Sequence, residues 1–587
     1  MNYALNVSKN KKGKGDAVRA LKKMAPLLGG EKRNLVVAIL AALTWSVAAL
    51  LDPIIIGQAI DLYIKNKDFH GVLVSAGMLL AVYVVALLAS YIQTIALGGV
   101  GRRVLFNLRN ALFIKLQELP AAFFNQNKSG DLISRINNDT DKLNQFIGQA
   151  LMQFMRSSFI VVGTGIFLVS LNPGLGAAAL VPAAVVLLAT RLLAPWVERA
   201  NLKSLQALGG MSSEIQESLA NFKVVAAFNR LDYFRDKFAG VNRENFSAAV
   251  IAGIASNIFN PIYGVASTLA QLVVLGYGIY LIGAGSFTVG LLVGYLLYLN
   301  SFYGPLRQLA TVWPTLQLAF AAIDRISEVL AMKSDMEIVE GNSGTRDSDF
   351  QLEFRNVSFT YPEGKTVLNK VNLKLEKGKT YALVGPTGGG KTTTASLMAR
   401  LYDVSEGSIL LEGKDIRTYA PGIRTQKIGF ILQEPFLFTG TIRDNIIYGN
   451  EDYKNCTDDQ LAAALESAGL AGLVARFNEG LKTKIASSGN TISLGQKQLI
   501  AFIRAVLRKP DLLILDEATA NIDTVTEQLL EDIIAKLPKD TTKVIIAHRL
   551  NTIDTADEIY FVNAGNITLA GSMPQAVKML TGQKRTS

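Results

Sequence analysis

Cysteine and histidine are nearly absent from this chain of 587 residues. The single cysteine, Cys456, excludes an internal disulfide. The only two histidines, His70 and His548, argue against a histidine-rich metal site.

Charged residues are also missing from long stretches of the first half. Residues 35–60 contain one charge, Asp52, and residues 71–101, 157–190 and 245–306 contain none. A helix crosses a bilayer with about 20 apolar residues, so the first two runs each span once and the later two fold back. Half of all residues are hydrophobic, which fits a membrane protein.

Two breaks inside the longer runs complete this topology. Asn-Pro-Gly at residues 172–174 and Gly-Ala-Gly-Ser at residues 283–286 are combinations that end helices. The sequence therefore predicts six spans, at residues 35–60, 72–100, 150–171, 175–197, 247–282 and 287–325.

The net charge of +11 is unevenly distributed. Basic residues are concentrated before the first span and after the second, and both predicted turns lack them. The positive-inside rule then places both termini in the cytoplasm. The membrane is expected to be the inner (plasma) membrane of the cell. Membrane topology and interaction with anionic lipid headgroups account for the positive charge, so no nucleic acid partner is expected.

Four regions follow from these patterns. Residues 1–34 form a cytoplasmic N-terminal segment, and residues 35–330 form a transmembrane domain with six helices and two long cytoplasmic loops. Residues 331–350 form a linker, and residues 351–587 alternate strand and helix patterns as a P-loop α/β domain does.

The two polar connections, residues 102–146 and 198–246, are rich in helix formers. Helices of about 20 residues out and 20 back would reach roughly 30 Å below the bilayer, far enough to touch a soluble domain. Two hairpins without any coupling role remain the alternative.

A phosphate-binding loop of the form Gly-x-x-x-x-Gly-Lys-Ser/Thr follows the apolar run at residues 381–384. Its glycines leave backbone N–H groups free to surround phosphate, the lysine neutralises charge, and the threonine hydroxyl can reach Mg²⁺. The loop and the next residue, which are the predicted nucleotide ligands, are Gly385, Pro386, Thr387, Gly388, Gly389, Gly390, Lys391, Thr392 and Thr393.

Two adjacent carboxylates end an apolar strand farther along, at residues 512–517. Side chains alternate along a strand, so Asp516 can face a Mg²⁺ held by Thr392. Glu517 can then reach the water that attacks the γ-phosphate. The spacing from the phosphate loop favours catalysis over a structural role.

Residues 492–498, Ile-Ser-Leu-Gly-Gln-Lys-Gln, resemble the signature sequence of the ATP-binding cassette (ABC) proteins, usually Leu-Ser-Gly-Gly-Gln. The resemblance implies that Ser493, Gly495 and Gln496 contact ATP. Four further positions resemble family motifs. Tyr361 resembles the aromatic residue that stacks on adenine, and Gln433 resembles the glutamine that senses Mg²⁺ and water. Asp523 resembles the aspartate of the loop that communicates between sites, and His548 resembles the histidine that contacts the γ-phosphate.

The resemblance therefore implies a complete site for ATP and Mg²⁺. The implied metal ligands are Thr392, Gln433 and Asp516. The implied catalytic residues are Glu517, His548, Lys391 and Gln433.

The likeness covers nearly the whole chain. Residues 123–135 and 217–225 look like the two coupling segments of exporter-type members, and six spans ahead of one cassette resemble an exporter half-transporter. Such a protein is expected to dimerise, to clamp each ATP between two chains, and to export an amphipathic drug or lipid by alternating access.

The signature departs from the usual form at Leu494, where glycine is expected, and residues 485–489 lack the usual Gly-Glu pair. We expect a second half-transporter as the partner, with a heterodimer favoured over ordinary variation in a homodimer. The six spans argue against a soluble cassette ATPase that acts on DNA or ribosomes. An importer is disfavoured because importers of the family usually have the spans and the cassette on separate chains. A channel gated by ATP stays open as an alternative.

Aromatic residues are frequent in the last two predicted spans. They either line an amphipathic cavity or pack helices and face lipid, and the sequence does not decide between these roles. They are Phe259, Tyr263, Tyr277, Tyr280, Tyr295, Tyr298, Phe302 and Tyr303.

Overall fold

The computed structural model describes most of the chain, in two compact units. The described residues are 3–5, 29–339, 348–361, 364, 366–486, 492–516, 524–546, 556–571, 574–575 and 578–579. One unit, here the membrane unit, comprises residues 6–117 and 130–331. The other, here the cassette unit, comprises residues 1–5, 118–129 and 332–587.

The membrane unit is helical. Six helical stretches among the described residues are long and apolar enough to cross a membrane, which confirms the six predicted spans. The helices in chain order are α1 (Lys32–Gln58), α2 (Phe69–Glu118), α3 (Ala121–Gln126, in the cassette unit), α4 (Ser129–Ser134), α5 (Thr140–Gln145), α6 (Leu151–Leu171), α7 (Pro173–Ala220), α8 (Phe222–Ala227), α9 (Leu231–Asn257), α10 (Phe259–Gly283) and α11 (Val289–Leu330). Wider π-helical turns, Ala59–Ile64, Arg135–Asp139 and Phe146–Ala150, continue α1, α4 and α5.

The chain turns where the sequence predicted. Asn172 caps α7, because its side-chain oxygen accepts a hydrogen bond from the Leu175 N–H at 2.9 Å, and Pro173 starts the helix. The second turn uses Gly285 at φ +74°, and Thr288 caps α11. Both caps satisfy backbone donors that a helix start leaves unpaired.

Two helices are much longer than a bilayer is thick. α2 has 50 residues and α7 has 48, which correspond to about 75 and 72 Å at 1.5 Å per residue. A hydrocarbon core of about 30 Å takes up less than half of that length. The prediction that helices continue through residues 102–146 and 198–246 is therefore largely correct.

The aromatic residues of the last two spans fall into two groups. Tyr295, Tyr298 and Tyr303 are buried, and their hydroxyls donate to the carbonyls of Leu168, Leu50 and Ala179, respectively. Such hydrogen bonds hold neighbouring helices together, so these three tyrosines pack helices. Tyr263 and Phe302 are buried as well, whereas Tyr277 and Tyr280 are exposed.

The cassette unit contains two main sheets. The antiparallel sheet has the order β2-β1-β4-β5, and a six-stranded sheet has the order β12-β11-β3-β10-β9-β6, parallel except for β12. The strands are β1 (Phe350–Thr360), β2 (Thr366–Glu376), β3 (Thr380–Val384), β4 (Glu406–Leu411), β5 (Lys414–Asp415), β6 (Ile428–Ile431), β7 (Gly440–Thr441), β8 (Lys484–Ile485), β9 (Leu512–Asp516), β10 (Thr542–Ile546), β11 (Glu558–Asn563) and β12 (Asn566–Leu569).

Helices cover the parallel sheet, as the alternating sequence pattern predicted. They are α12 (Lys391–Met398), α13 (Pro421–Lys427), α14 (Ile442–Ile446), α15 (Asp458–Ser467), α16 (Ala471–Val474), α17 (Leu494–Val506) and α18 (Thr524–Lys536). α12 packs in a core shared by both sheets, and α17 packs in a second core with α14 and α15. The strands β9 and β10 are buried throughout because both faces of the sheet are covered.

Candidate functional site

The predicted phosphate loop connects β3 directly to α12. Gly385 to Gly390 form the connection, and three of its glycines have positive φ: Gly385 at +148°, Gly388 at +80° and Gly390 at +113°. Side chains with a Cβ rarely adopt this backbone, which explains why the loop is built from glycine. The start of α12 then offers unpaired N–H groups and the positive end of a helix dipole to an anion.

Two of the glycines allow a close approach of backbones. A Cβ added at Gly385 would lie 2.0 Å from the carbonyl oxygen of Val562 on β11, and one at Gly389 would lie 2.6 Å from it. The space beside Gly388 is open, with nothing within 4 Å. The loop is thus pressed against β11 on one side and open on the other.

Lys391 is held by the loop that it follows. Its buried ammonium donates to the carbonyl oxygens of Gly385 at 2.8 Å and Pro386 at 3.1 Å. A phosphate entering the loop would offer the ammonium a charged acceptor in place of these neutral ones. Thr392, next in the helix, is exposed.

Asp516 lies at the same sheet edge as the phosphate loop. In the strand register, Ile546 of β10 is opposite both Leu383 of β3 and Asp516 of β9. Strands lie about 4.8 Å apart, so β3 and β9 are roughly 10 Å from each other. Asp516 is buried, and exposed Gln433 follows β6, the strand beside β9.

These residues fit a magnesium ion by their chemistry. Mg²⁺ prefers oxygen ligands and is usually held by one or two side chains together with nucleotide phosphates. Thr392 supplies a hydroxyl, Asp516 a carboxylate and Gln433 an amide oxygen, and the parallel strands direct all three to one edge. No cluster of three or more His, Cys, Asp or Glu residues that suits a metal occurs among the described residues.

Tyr361, predicted to stack on adenine, lies beside the start of α12. Its hydroxyl is 3.1 Å from the hydroxyl of Thr393, the residue after Thr392. Its ring lies 4.8 Å from that of Phe359 and 5.6 Å from that of Tyr402, both edge to face. The structure therefore brings Tyr361 to the phosphate loop.

The short helix α3 touches this aromatic group. The side-chain amide of Asn125 donates to the hydroxyl of Tyr402, and burial raises the pKa of that hydroxyl above its usual range. Asn125 belongs to the segment that resembles a coupling segment, and it lies in the cassette unit. The segment thus reaches a residue adjacent to the predicted adenine platform.

Residues 3–5 are bound to the same, C-terminal end of α3. The backbone N–H of Tyr3 donates to the Gln126 side chain at 2.8 Å, and that of Leu5 donates to Asn127 at 3.0 Å. The Tyr3 side chain is 3% exposed, and its hydroxyl accepts from the N–H of Asp335 at 2.9 Å. Tyr3 therefore joins α3 to the start of the linker.

The signature sequence begins α17 and lies in a different core from α12. Ser493 and Gln496 form a reciprocal capping box: the Ser493 hydroxyl accepts from the Gln496 N–H at 3.2 Å, and the Gln496 side chain accepts from the Ser493 N–H at 3.0 Å. Leu494 is 41% exposed, and Gly495 follows it. The helix start thus presents an exposed surface for a partner.

Glu517, Asp523 and His548 lie outside the described residues. The described strands β9 and β10 end one and two residues before Glu517 and His548, respectively, at Asp516 and Ile546. Sequence reasoning missed Tyr402 and Tyr3, because neither lies in a recognisable motif. Asn125 lay inside a segment whose resemblance was noted, but nothing in the sequence singled it out.

Comparison with known proteins agrees with this arrangement. The family profile described as the ABC transporter transmembrane region matches residues 35–306, and the ABC transporter profile matches residues 368–520. The ABC transporter ATP-binding protein YfiC of Bacillus subtilis is 33% identical over 96% of this chain and 93% of its own length. This chain belongs to the ABC transporter family.

Two further relatives have names that state a cargo. A multidrug resistance ABC transporter ATP-binding and permease protein of Lactococcus lactis (strain IL1403) is 30% identical over 92% of this chain and 90% of its own length. A fatty acid ABC transporter ATP-binding/permease protein of Mycobacterium bovis is 32% identical over 86% of this chain and 80% of its own length.

Membership in the ABC transporter family settles the general activity. The chain is a multi-pass membrane protein that binds ATP and couples its hydrolysis to transport. It carries one membrane region and one ATP-binding region, the half-transporter arrangement, and half-transporters of this family work as dimers.

Proposed function

We propose that this chain is one half of an exporter that moves an amphipathic substrate, a drug or a lipid, out of the cytoplasm by alternating access. The proposal is carried by one observation: a single chain contains both six apolar spans and a phosphate loop that has Asp516 at the same sheet edge. The cargoes named for the relatives from Lactococcus lactis and Mycobacterium bovis support this substrate class.

The proposed site divides its work among this chain's residues. The phosphate loop and Lys391 bind and neutralise the phosphates, Tyr361 stacks on adenine, and Glu517 polarises the attacking water. His548 contacts the γ-phosphate, and Asp523 communicates between sites. Thr392, Gln433 and Asp516 would hold Mg²⁺, which supplies charge neutralisation at the phosphates when bound.

The second half of each ATP site comes from the partner chain. Ser493, Gly495 and Gln496 at the exposed start of α17 would contact ATP held by the partner's phosphate loop. N–H groups at a helix start bind phosphate even where a leucine replaces glycine, as Leu494 does. We propose a heterodimer in which this chain supplies the hydrolytic residues to one site and the altered signature to the other.

The proposed location is the inner membrane with both termini in the cytoplasm. Basic residues before the first span and after the second support this orientation. Residues 123–135 and 217–225 would transmit closure of the cassettes to the membrane helices. The contact between Asn125 and Tyr402 supports that role for the first segment.

Glu517→Gln tests the assigned base. The amide keeps the shape of the side chain but cannot polarise water, so the variant is expected to bind ATP and to lose nearly all hydrolysis. Glu466→Gln, an exposed position on α15, is the matched control and should hydrolyse ATP normally. Unchanged hydrolysis by Glu517→Gln in the assembled dimer would refute the assignment.

A further inference from the structure

Residues 3–5 are held through their backbone by two side-chain amides. The N–H of Tyr3 donates to the side-chain oxygen of Gln126 at 2.8 Å. The N–H of Leu5 donates to Oδ1 of Asn127 at 3.0 Å, and Nδ2 of Asn127 donates to the carbonyl oxygen of Tyr3 at 3.0 Å. The Asn127 amide thus pairs with this segment as a residue of a neighbouring β-strand would, and strand-like pairing is a common way to bind an extended peptide.

The side chain of Tyr3 fills a closed position beside α3. Tyr3 is 3% exposed, and its ring lies edge to face with that of Phe123, which is fully buried. Its hydroxyl accepts from the N–H of Asp335 in the linker at 2.9 Å. A tyrosine matches this position because its ring is apolar and its far end is polar. We call residues 3–5 the strap, and the four residues that hold it, Phe123, Gln126, Asn127 and Asp335, the strap groove.

The helix α3 depends on contacts of this kind. It has six residues, too few for a helix that is stable by itself, and no side chain caps its start at Pro120. Nδ2 of Asn127 donates also to the carbonyl oxygen of Phe123 at 2.7 Å. That contact satisfies one of the carbonyls that a helix end leaves unpaired. Asn127 therefore binds the strap and the end of α3 at the same time.

The strap also contacts a part of the linker that the cassette unit holds. Asp335, whose N–H donates to Tyr3, comes two residues before Glu337. Arg400 donates from Nη2 to the carbonyl oxygen of Glu337 at 2.9 Å and forms an ion pair with Asp403. Tyr3 thus fixes the end of α3 to an anchored segment of the linker.

We propose that the strap groove is a binding site for an extended peptide that carries a tyrosine. The strap is its resident ligand, and its occupancy holds α3 in place on the cassette unit. Asn125, which donates to the Tyr402 hydroxyl, directly precedes the two amides that bind the strap. Displacement of the strap therefore frees the end of α3 and releases Asn125 from Tyr402. The coupling role of α3 belongs to the proposed function, whereas this peptide site is an addition to it.

Peptide binding tests the groove directly. The probe is a fluorescein-labelled peptide of residues 1–6, Met-Asn-Tyr-Ala-Leu-Asn, and fluorescence anisotropy reports its binding to the dimer in nanodiscs. A dimer in which this chain lacks residues 2–5 should bind the peptide. The dimer that keeps these residues should bind it at least about tenfold more weakly, because a tethered ligand competes at an effective concentration near the millimolar range.

Variants of the peptide and of the groove test how the strap is recognised. Phenylalanine in place of tyrosine should weaken binding about 2–10-fold, since one hydrogen bond is lost. Alanine at that position should weaken binding roughly 100-fold, since the ring is lost as well. In the deletion dimer, Asn127→Ala should reduce peptide affinity at least about tenfold because it removes two backbone contacts. Asn137→Ala, at an exposed position, is the matched control and should leave the affinity unchanged.

Cross-linking tests the effect of the strap on α3. Asn125→Cys and Tyr402→Cys are combined with Cys456→Ser, which removes the single native thiol of this chain. A short bifunctional thiol reagent should join the two new cysteines, and mass spectrometry of the joined fragments measures the rate. Deletion of residues 2–5 should lower that rate at least about fivefold, because a freed helix end opens more often. A saturating concentration of the peptide of residues 1–6 should restore it.

Four results would overturn the proposal. They are a deletion dimer that does not bind the peptide, equal affinities of the tyrosine and alanine peptides, a cross-linking rate that the deletion leaves unchanged, and a lowered rate that the peptide does not restore. Neither measurement requires transport. Failure of the export function would be seen separately, as absence of ATP-dependent transport in the unsubstituted dimer.

Discussion

Asn125 and Tyr402 are joined by a hydrogen bond between the amide of the first and the hydroxyl of the second. The ring of Tyr402 lies 5.6 Å from that of Tyr361, the predicted adenine platform. Tyr361 in turn is within hydrogen-bonding distance of Thr393 in α12. A continuous set of side-chain contacts therefore connects α3 to the start of the helix that follows the phosphate loop.

Tyr402→Phe tests the role of that hydrogen bond. The ring stays, while a contact worth about 0.5–1.5 kcal/mol is lost, equivalent to a factor of roughly 2–10. We expect basal ATP hydrolysis to stay within about twofold and substrate-stimulated hydrolysis to fall several-fold. Tyr560→Phe is the control, because it removes a hydroxyl that donates to the backbone carbonyl oxygen of Lys374 within the cassette unit. Equal stimulation in the two variants would exclude a coupling role for Tyr402.

Gly385→Ala should be far more damaging than Gly388→Ala. At Gly385 the new Cβ would meet the Val562 carbonyl at 2.0 Å, whereas at Gly388 it meets nothing within 4 Å and only the positive φ opposes it. That backbone strain alone costs about 1–2 kcal/mol. ATP binding and thermal unfolding measure the difference, and similar losses in both variants would show that the contact with β11 is unimportant.

Tyr3→Ala should destabilise the cassette unit by about 3–5 kcal/mol, the usual cost of removing a buried aromatic ring. Tyr3→Phe keeps the ring and loses only the hydrogen bond to Asp335, so about 1 kcal/mol is expected. Thermal unfolding of the full-length protein checks both. If Tyr3→Ala left the thermal stability unchanged, residues 3–5 would not bind α3 in solution.

The altered signature predicts a dependence on a second, different chain. Purified alone, this chain should show little transport-coupled ATPase activity, and co-expression with its partner should restore it. Leu494→Gly returns the third signature position to the family's usual residue and should raise turnover at the site that it faces. A dimer of this chain alone with full transport-coupled activity would contradict the heterodimer.

Sequence patterns predicted the six spans because uncharged runs and helix-ending turns are local features. The phosphate loop and Asp516 lie at one edge of the parallel sheet because strand ends meet there, and their joint role in holding Mg²⁺ stays a prediction. The contacts of Tyr3 and Tyr402 depend on residues distant in the chain, Asp335 and Asn125, and have no periodicity.

ATP-dependent transport into inside-out vesicles tests the central claim most directly. The assembled dimer should accumulate a fluorescent amphiphile when ATP and Mg²⁺ are supplied, and the Glu517→Gln dimer should not. Accumulation by the unsubstituted dimer should require hydrolysable ATP and proceed against a concentration gradient. Movement only down the gradient, or equal accumulation by the Glu517→Gln dimer, would contradict an ATP-driven exporter.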